Sequence, residues 1–122
     1  MLTEHFSHKE MACKCCGECR VDGVFMSILE DIRVKYGKPM IVSSGYRCPK
    51  HNESVSETGA KGPHTTGKAV DIAIGGKSAY NLLKAVMEDN RITGIGIKQS
   101  GSSRFIHLDI LEGATRPWCW TY

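Results

Sequence analysis

Three side chains with metal-binding chemistry sit at spacings that two short strands can bring together. The stretch His64-Thr-Thr-Gly-Lys-Ala-Val-Asp71-Ile reads as a loop that turns at Gly67 and runs into a strand, and Phe105-Ile-His107-Leu-Asp109-Ile reads as a second strand. Alternation sends Val70, Ile72 and Ile74 toward a core and leaves Ala69, Asp71 and Ala73 on the opposite face. In the second strand Ile106, Leu108 and Ile110 take the buried face, and Phe105, His107 and Asp109 take the other. Pairing the two collects His64, Asp71 and His107, two imidazoles and a carboxylate. That set suits Zn2+, which accepts nitrogen and oxygen ligands and in catalytic sites keeps a fourth position for water. A single histidine in a strand is more often an ordinary core or surface residue. Asp71 carries the argument, because a carboxylate inside the apolar run Ala69-Val-Asp-Ile-Ala-Ile74 is costly unless something pairs with it.

The elements that must position these residues are legible on either side. Ser7 and Glu10 form a capping box for a short first helix, with Phe6 and Met11 placed as a hydrophobic staple. Asp22 caps an amphipathic helix to about Tyr36, with Phe25, Ile28, Leu29 and Ile32 at helical spacing, and Gly37 and Pro39 end it. Met40 to Ser43 is a short strand, and Gly45 opens a loop carrying Tyr46 and Arg47. Residues 49–63 are rich in Gly, Ser, Pro, Asn and Glu without periodicity and read as an irregular loop. After the Asp71 strand, Gly75-Gly76 turns and Ser78 is expected to cap a second helix buried through Ala79, Leu82, Leu83, Val86 and Met87. Gly94 to Ile97 and Arg104 to Leu111 are strands. The expected fold is α+β: a small, mostly antiparallel sheet with two main helices packed on it and the zinc site on the sheet face. One domain is expected over 1–122, residues 1–21 forming an N-terminal capped turn and a cysteine-rich segment.

The ordered set Ser44-Gly-Tyr-Arg47-Cys-Pro-Lys-His-Asn52, His64 with Asp71, and His107-Leu-Asp109 resembles the zinc D-Ala-D-Ala carboxypeptidase family. That family includes peptidoglycan endopeptidases and many phage endolysins, and the likeness runs over roughly residues 5–120. It implies a zinc metallopeptidase of the D,D-carboxypeptidase or endopeptidase type, acting on peptidoglycan stem peptides as a monomer. It also implies that Arg47 grips a substrate carboxylate or the developing oxyanion, with Ser44 and Tyr46 lining the same pocket. Asn52 is expected to hold its loop. Near the C-terminus Arg116-Pro-Trp118 resembles the family's closing Arg-x-Trp segment, so Trp118 either walls the substrate groove or covers the core. One position departs from the pattern. Several members place Glu or His three residues before the last zinc ligand, where this chain has Arg104, which cannot act as a base near neutral pH. Asp109 is the nearest catalytic substitute; otherwise it orients a zinc-bound imidazole, and Glu53, Glu57 or His51 must serve.

Cys13, Cys15, Cys16 and Cys19 crowd into seven residues and admit three readings. They can form a second, structural metal site, completed in part by Cys48 or His51. They can pair as disulfides among the six cysteines of the chain, or remain reduced thiols. The rest of the composition is ordinary, 41% hydrophobic and 24% charged with a formal net charge of +3. So small a charge, with no basic cluster interleaved with aromatics, gives no sign of nucleic-acid binding. No run of about 18 apolar residues suggests membrane insertion. The first residues lack the basic and apolar regions of a signal peptide. The protein is therefore expected to be made in a host cytoplasm and to act on the wall after release, or as a virion component. The alternative function is a non-catalytic, zinc-containing domain that binds cell wall or serves in a virion, which Arg104 and Pro63 keep open.

Overall fold

In the computed structural model, which describes residues 2–122, the chain forms four α-helices and five strands. In chain order these are α1 (His8–Met11), α2 (Gly23–Tyr36), β1 (Ile41–Ser44), α3 (Pro49–Val55), β2 (Ala69–Ala73), α4 (Gly76–Met87), β3 (Gly94–Lys98), β4 (Phe105–Asp109) and β5 (Trp118–Thr121). Two short 3-10 turns, Gly59–Lys61 and Pro63–Thr66, precede β2. The strands make one sheet in the order β1-β2-β4-β3-β5. Neighbours are antiparallel except for β3 and β5, which run parallel.

Strand alternation divides the sheet into two unlike faces. Val70 and Ile72 of β2, Ile106 and Leu108 of β4, and Ile95 of β3 face α2 and α4, forming one cluster with Phe25, Leu29, Ile32, Leu82 and Val86. Removing each of these large side chains from water contributes about 1.5–3 kcal/mol, so this face holds the sheet against its helices. The opposite face carries Asp71, His107 and Asp109. Cross-strand register aligns Asp71 with His107, His107 with Gly96, and Gly96 with Trp120, a row that spans four strands.

The helix ends follow their sequence signals. Ser7 and Glu10 make the reciprocal capping box of α1, and Phe6 and Met11 are both fully buried, as a staple requires. The Asp22 carboxylate accepts from the Phe25 amide at 2.9 Å, and Gly37 closes α2 in the left-handed conformation. Three details differ from expectation. Residues 49–55 are helical, because Pro49 occupies the first helical turn, where its missing N–H costs nothing, and the Cys48 sulfur caps the helix. Helix α4 begins at Gly76 with Gly75 before it, which places Ser78 inside the first turn rather than at the cap. Trp118–Thr121 adds a fifth strand on the far side of β3, where no strand was expected.

Candidate metal centre

His64, Asp71 and His107 arrive from three different pieces of backbone. Asp71 and His107 face each other across the β2–β4 ladder. His64 comes from the 3-10 turn Pro63–Thr66, which ends at Gly67 with φ of 74°. A side chain at Gly67 would run into the backbone carbonyl of Arg20, so glycine is needed there for both its conformation and its size. The Arg47 amide donates to the His64 carbonyl at 3.1 Å and ties this turn to the loop after β1. All three side chains are buried, and their candidate ligand atoms lie within 4.8 Å of one another.

The hydrogen bonds around the two imidazoles assign their protons. His64 Nδ1 lies 2.8 Å from the Gly45 carbonyl, which can only accept, so Nδ1 carries the hydrogen. The lone pair of Nε2 in the neutral ring then faces Asp71 Oδ1, 3.2 Å away. His107 Nε2 lies 2.8 Å from Asp109 Oδ2 and donates to it, which turns the Nδ1 lone pair toward the same Asp71 oxygen at 2.9 Å. Two nitrogen lone pairs and a carboxylate oxygen therefore converge on one point. Such a convergence requires a cation or extra protons. Two imidazoles and a carboxylate are a donor set that suits zinc, and each ring is held from behind by an acceptor, as zinc-binding histidines usually are.

The same crowding sets the protonation of the metal-free centre. Burial pushes the Asp71 carboxyl up, but hydrogen bonds from His107 and His64 outweigh it and hold the group well below the usual carboxylate range. Burial pulls the His107 imidazole down, and the carboxylates of Asp109 and Asp71 more than offset it, raising its pKa. Asp109 is held down to about 2, burial being outweighed by His107 and Arg116.

Asp109 has no exposed surface. Its Oδ1 accepts from Arg116 Nε at 3.0 Å and from the Leu111 amide at 3.2 Å, and its Oδ2 from Arg116 at 2.8 Å as well as from His107. Of the two roles expected for Asp109, these contacts suit the one that orients His107, since every oxygen is engaged and none faces open space. Arg116 in turn lies 5.0 Å from the centre of the Trp120 ring, which packs 5.2 Å from the His107 ring. The glycines of β3 make the room. A side chain at Gly94 would fall on the Asp109 carboxylate, and a Cβ at Gly96 would meet Trp120 Nε1 at 2.7 Å and the Tyr122 hydroxyl at 2.9 Å.

A cleft of about 300 Å³ opens onto the three converging side chains, bordered by Arg47, Thr58, Phe105, Trp120 and Tyr122. Arg47 is held by Asn52, whose side-chain oxygen accepts from it at 3.1 Å. Asn52 is itself fully buried and donates to Thr58 and to the Gly59 carbonyl, the loop-holding place expected for it. Ser44 and Tyr46 border an adjoining hollow that shares Arg47 with the cleft; they do not line the cleft itself. Trp118 is also displaced from expectation. It is largely exposed and borders a separate hollow beside Met87 and Ile92, and Trp120, one strand repeat further on, takes the place at the cleft. Arg104 is exposed and donates to the Gly101 carbonyl, away from the centre. Among the described residues lining the cleft, none adds a carboxylate or imidazole to the three. Glu53 and Glu57 are exposed outside it, and His51 borders the adjoining hollow.

Sequence reasoning missed the roles of Arg116 and Trp120. Both were detectable in principle: Arg116 as a cation near an Asp109 that needed one, and Trp120 as the second aromatic of Trp118-Cys-Trp120. The family model described as Peptidase M15 matches residues 4–109, most of the chain. A search of curated proteins finds no match.

Proposed function

The chain belongs to the peptidase M15 family of metallopeptidases, and from that premise we propose that it is a zinc-dependent hydrolase of peptide bonds in bacterial peptidoglycan. The observation that carries the reading is the convergence of His64 Nε2, His107 Nδ1 and Asp71 Oδ1 at the floor of a cleft. His64, Asp71 and His107 would hold a zinc ion, which would supply Lewis acidity toward a scissile carbonyl and would acidify water. Asp109 fixes the His107 ring and its tautomer, and Arg116 keeps Asp109 ionised. Arg47, braced by Asn52, offers a planar pair of donors to a substrate carboxylate or to developing charge on the carbonyl oxygen. Ser44 and Tyr46 shape the approach to Arg47 from the adjoining hollow. Burial raises the pKa of Tyr122, which keeps a hydroxyl donor at the edge of the cleft. Trp120 walls the side nearest His107. Within this class we assign the protein as a phage lysin working as a monomer on stem peptides, an assignment supported by the resemblance of its motifs to endolysin members.

One observation favours a second reading, a non-catalytic zinc domain that binds cell wall or serves in a virion. No described residue of the cleft offers a general base beyond the three converging groups. Incubation with purified peptidoglycan, with products read by mass spectrometry, separates the two. Release of defined stem-peptide fragments that stops on chelation and returns with zinc is the expected result. Arg47→Ala should keep its metal and lose most turnover. Retained zinc with no release from several wall types would support the binding domain and sink the peptidase.

A further inference from the structure

A second cluster of soft ligands lies away from the cleft. Cys13, Cys15 and Cys16 occupy a tight turn after α1, and Cys48 stands at the start of α3. Their four sulfurs lie within 4.8 Å of one another although Cys48 is 32 or more positions along the chain from the others. The sulfurs of Cys15 and Cys48 are 3.5 Å apart. Four sulfurs placed tetrahedrally at about 2.3 Å from a zinc ion are about 3.8 Å from each other, so the cluster needs only small adjustments to close on one ion. A disulfide would need about 2.05 Å, and all six cysteines are free.

The backbone around the sulfurs is arranged for thiolates. The Cys48 amide donates to Cys13 Sγ at 3.3 Å. The His51 amide donates to Cys48 Sγ at 3.4 Å. A neutral thiol is a weak acceptor, whereas a thiolate accepts an amide strongly, so an amide on each of two neighbouring sulfurs suits thiolates. Cys13-Lys-Cys-Cys16-Gly17 also has the two-residue ligand spacing of structural zinc turns. Gly17, with φ of 77°, returns its amide to the Cys13 carbonyl at 2.8 Å and closes the turn. Cys15 and Cys16 are exposed, so hydrophobic packing does not account for the gathering.

We infer that Cys13, Cys15, Cys16 and Cys48 hold a structural zinc ion that fastens the N-terminal segment to the loop carrying Arg47. Four sulfur ligands close the coordination shell and leave no position for substrate, unlike the centre in the cleft. The sequence-based grouping with Cys19 is corrected: Cys19 packs against the hydrophobic core, and Cys48 supplies the fourth ligand. Because Cys48 directly follows Arg47, the ion fixes one end of the segment that is also restrained by the Tyr46 amide on the Met11 carbonyl, the Arg47 amide on the His64 carbonyl and the Asn52 contact.

The test removes the first centre and asks what remains. Wild type should carry two zinc ions per chain and a His64→Ala/His107→Ala variant one. Cobalt substituted into that variant should give thiolate-to-cobalt charge-transfer absorption. Adding Cys48→Ser should remove both ion and absorption, and Cys19→Ser or Cys119→Ser should change neither. Should the Cys48→Ser protein fail to fold, alkylation of the folded double variant serves instead, with Cys13, Cys15, Cys16 and Cys48 protected until a chelator is added. A metal-free double variant, iron in place of zinc, or a Cys15–Cys48 disulfide in protein isolated without reductant would overturn the inference.

Discussion

Asp109, itself closed to solvent, accepts from His107, from the Leu111 amide and from two nitrogens of Arg116. Truncating Arg116 leaves that carboxylate buried without its cation. Breaking a buried pair in this way costs about 3–5 kcal/mol, and losing the partner behind a metal ligand weakens metal binding about 10–100-fold. Arg116→Ala should show both effects, in denaturant melts and in zinc titrations. Arg116→Lys should recover only part, because an ammonium cannot reproduce the two-pronged contact. Gly94→Ala attacks the same carboxylate from the other side. Its methyl group would collide with Asp109, a strain of about 1–3 kcal/mol by the usual cost of overpacking, and zinc affinity should fall with it. An unchanged affinity in Gly94→Ala would show that Asp109 does not hold the His107 ring.

At the scale of elements, α2 separates stability from chemistry. Its Asp22 cap lies on the helix side of the sheet, and its side chain serves the Phe25 amide. Asp22→Ala should cost about 1 kcal/mol, read from a thermal melt, with zinc content and turnover per folded molecule unchanged. Helix α3 has the opposite character. Its Asn52 joins Arg47 to the 3-10 turn at Gly59 through three hydrogen bonds. Asn52→Ala should cost about 1–3 kcal/mol for the polar groups it strands and reduce turnover more than zinc content, because it frees Arg47 and leaves His64 in place. Boundaries of α2 were legible because Asp22 and Gly37 mark them locally. Helix α3 was not, since its seven residues are too few for periodicity and its cap is a cysteine, an uncommon capping residue.

For the molecule as a whole, the metal centre joins the Pro63–Thr66 turn to β2 and β4 in the middle of the sheet, so removing the ion exposes a pH dependence. The His107 pKa is raised above its ordinary 6.5. Its contribution to the stability of the metal-free protein is therefore complete below pH 6.5 and is lost as pH rises through the raised value. The pKa values of Asp71 and Asp109 are lowered from 3.8. Their contribution is present above pH 3.8 and is lost as pH falls through the lowered values. With a chelator present, melting temperature should thus peak between these limits and decline toward alkaline pH, and zinc should cancel the alkaline decline by replacing the proton. A chelated protein whose stability does not change between about pH 6 and 9 would contradict the raised pKa of His107.

Local order along the chain determined the two-faced strands, the capped ends of α1 and α2, and the shared face that Asp71 and His107 take in their strands, because each depends on neighbours a few residues away. Alternation alone places Asp71 and His107 opposite the apolar face, and an Asp in an apolar run must find a partner wherever the chain goes. Tertiary structure decided what lies between and behind them. Strand β5 pairs parallel to β3, which brings Trp120 beside His107 and the Arg116 segment onto Asp109. The loop after β1 folds against α1, and that selects Cys48 over Cys19 as the neighbour of Cys13. Periodicity fixes which face a side chain takes, but not which strand will lie beside it. That choice depends on the packing of the whole core, and sequence spacing contains no direct record of it.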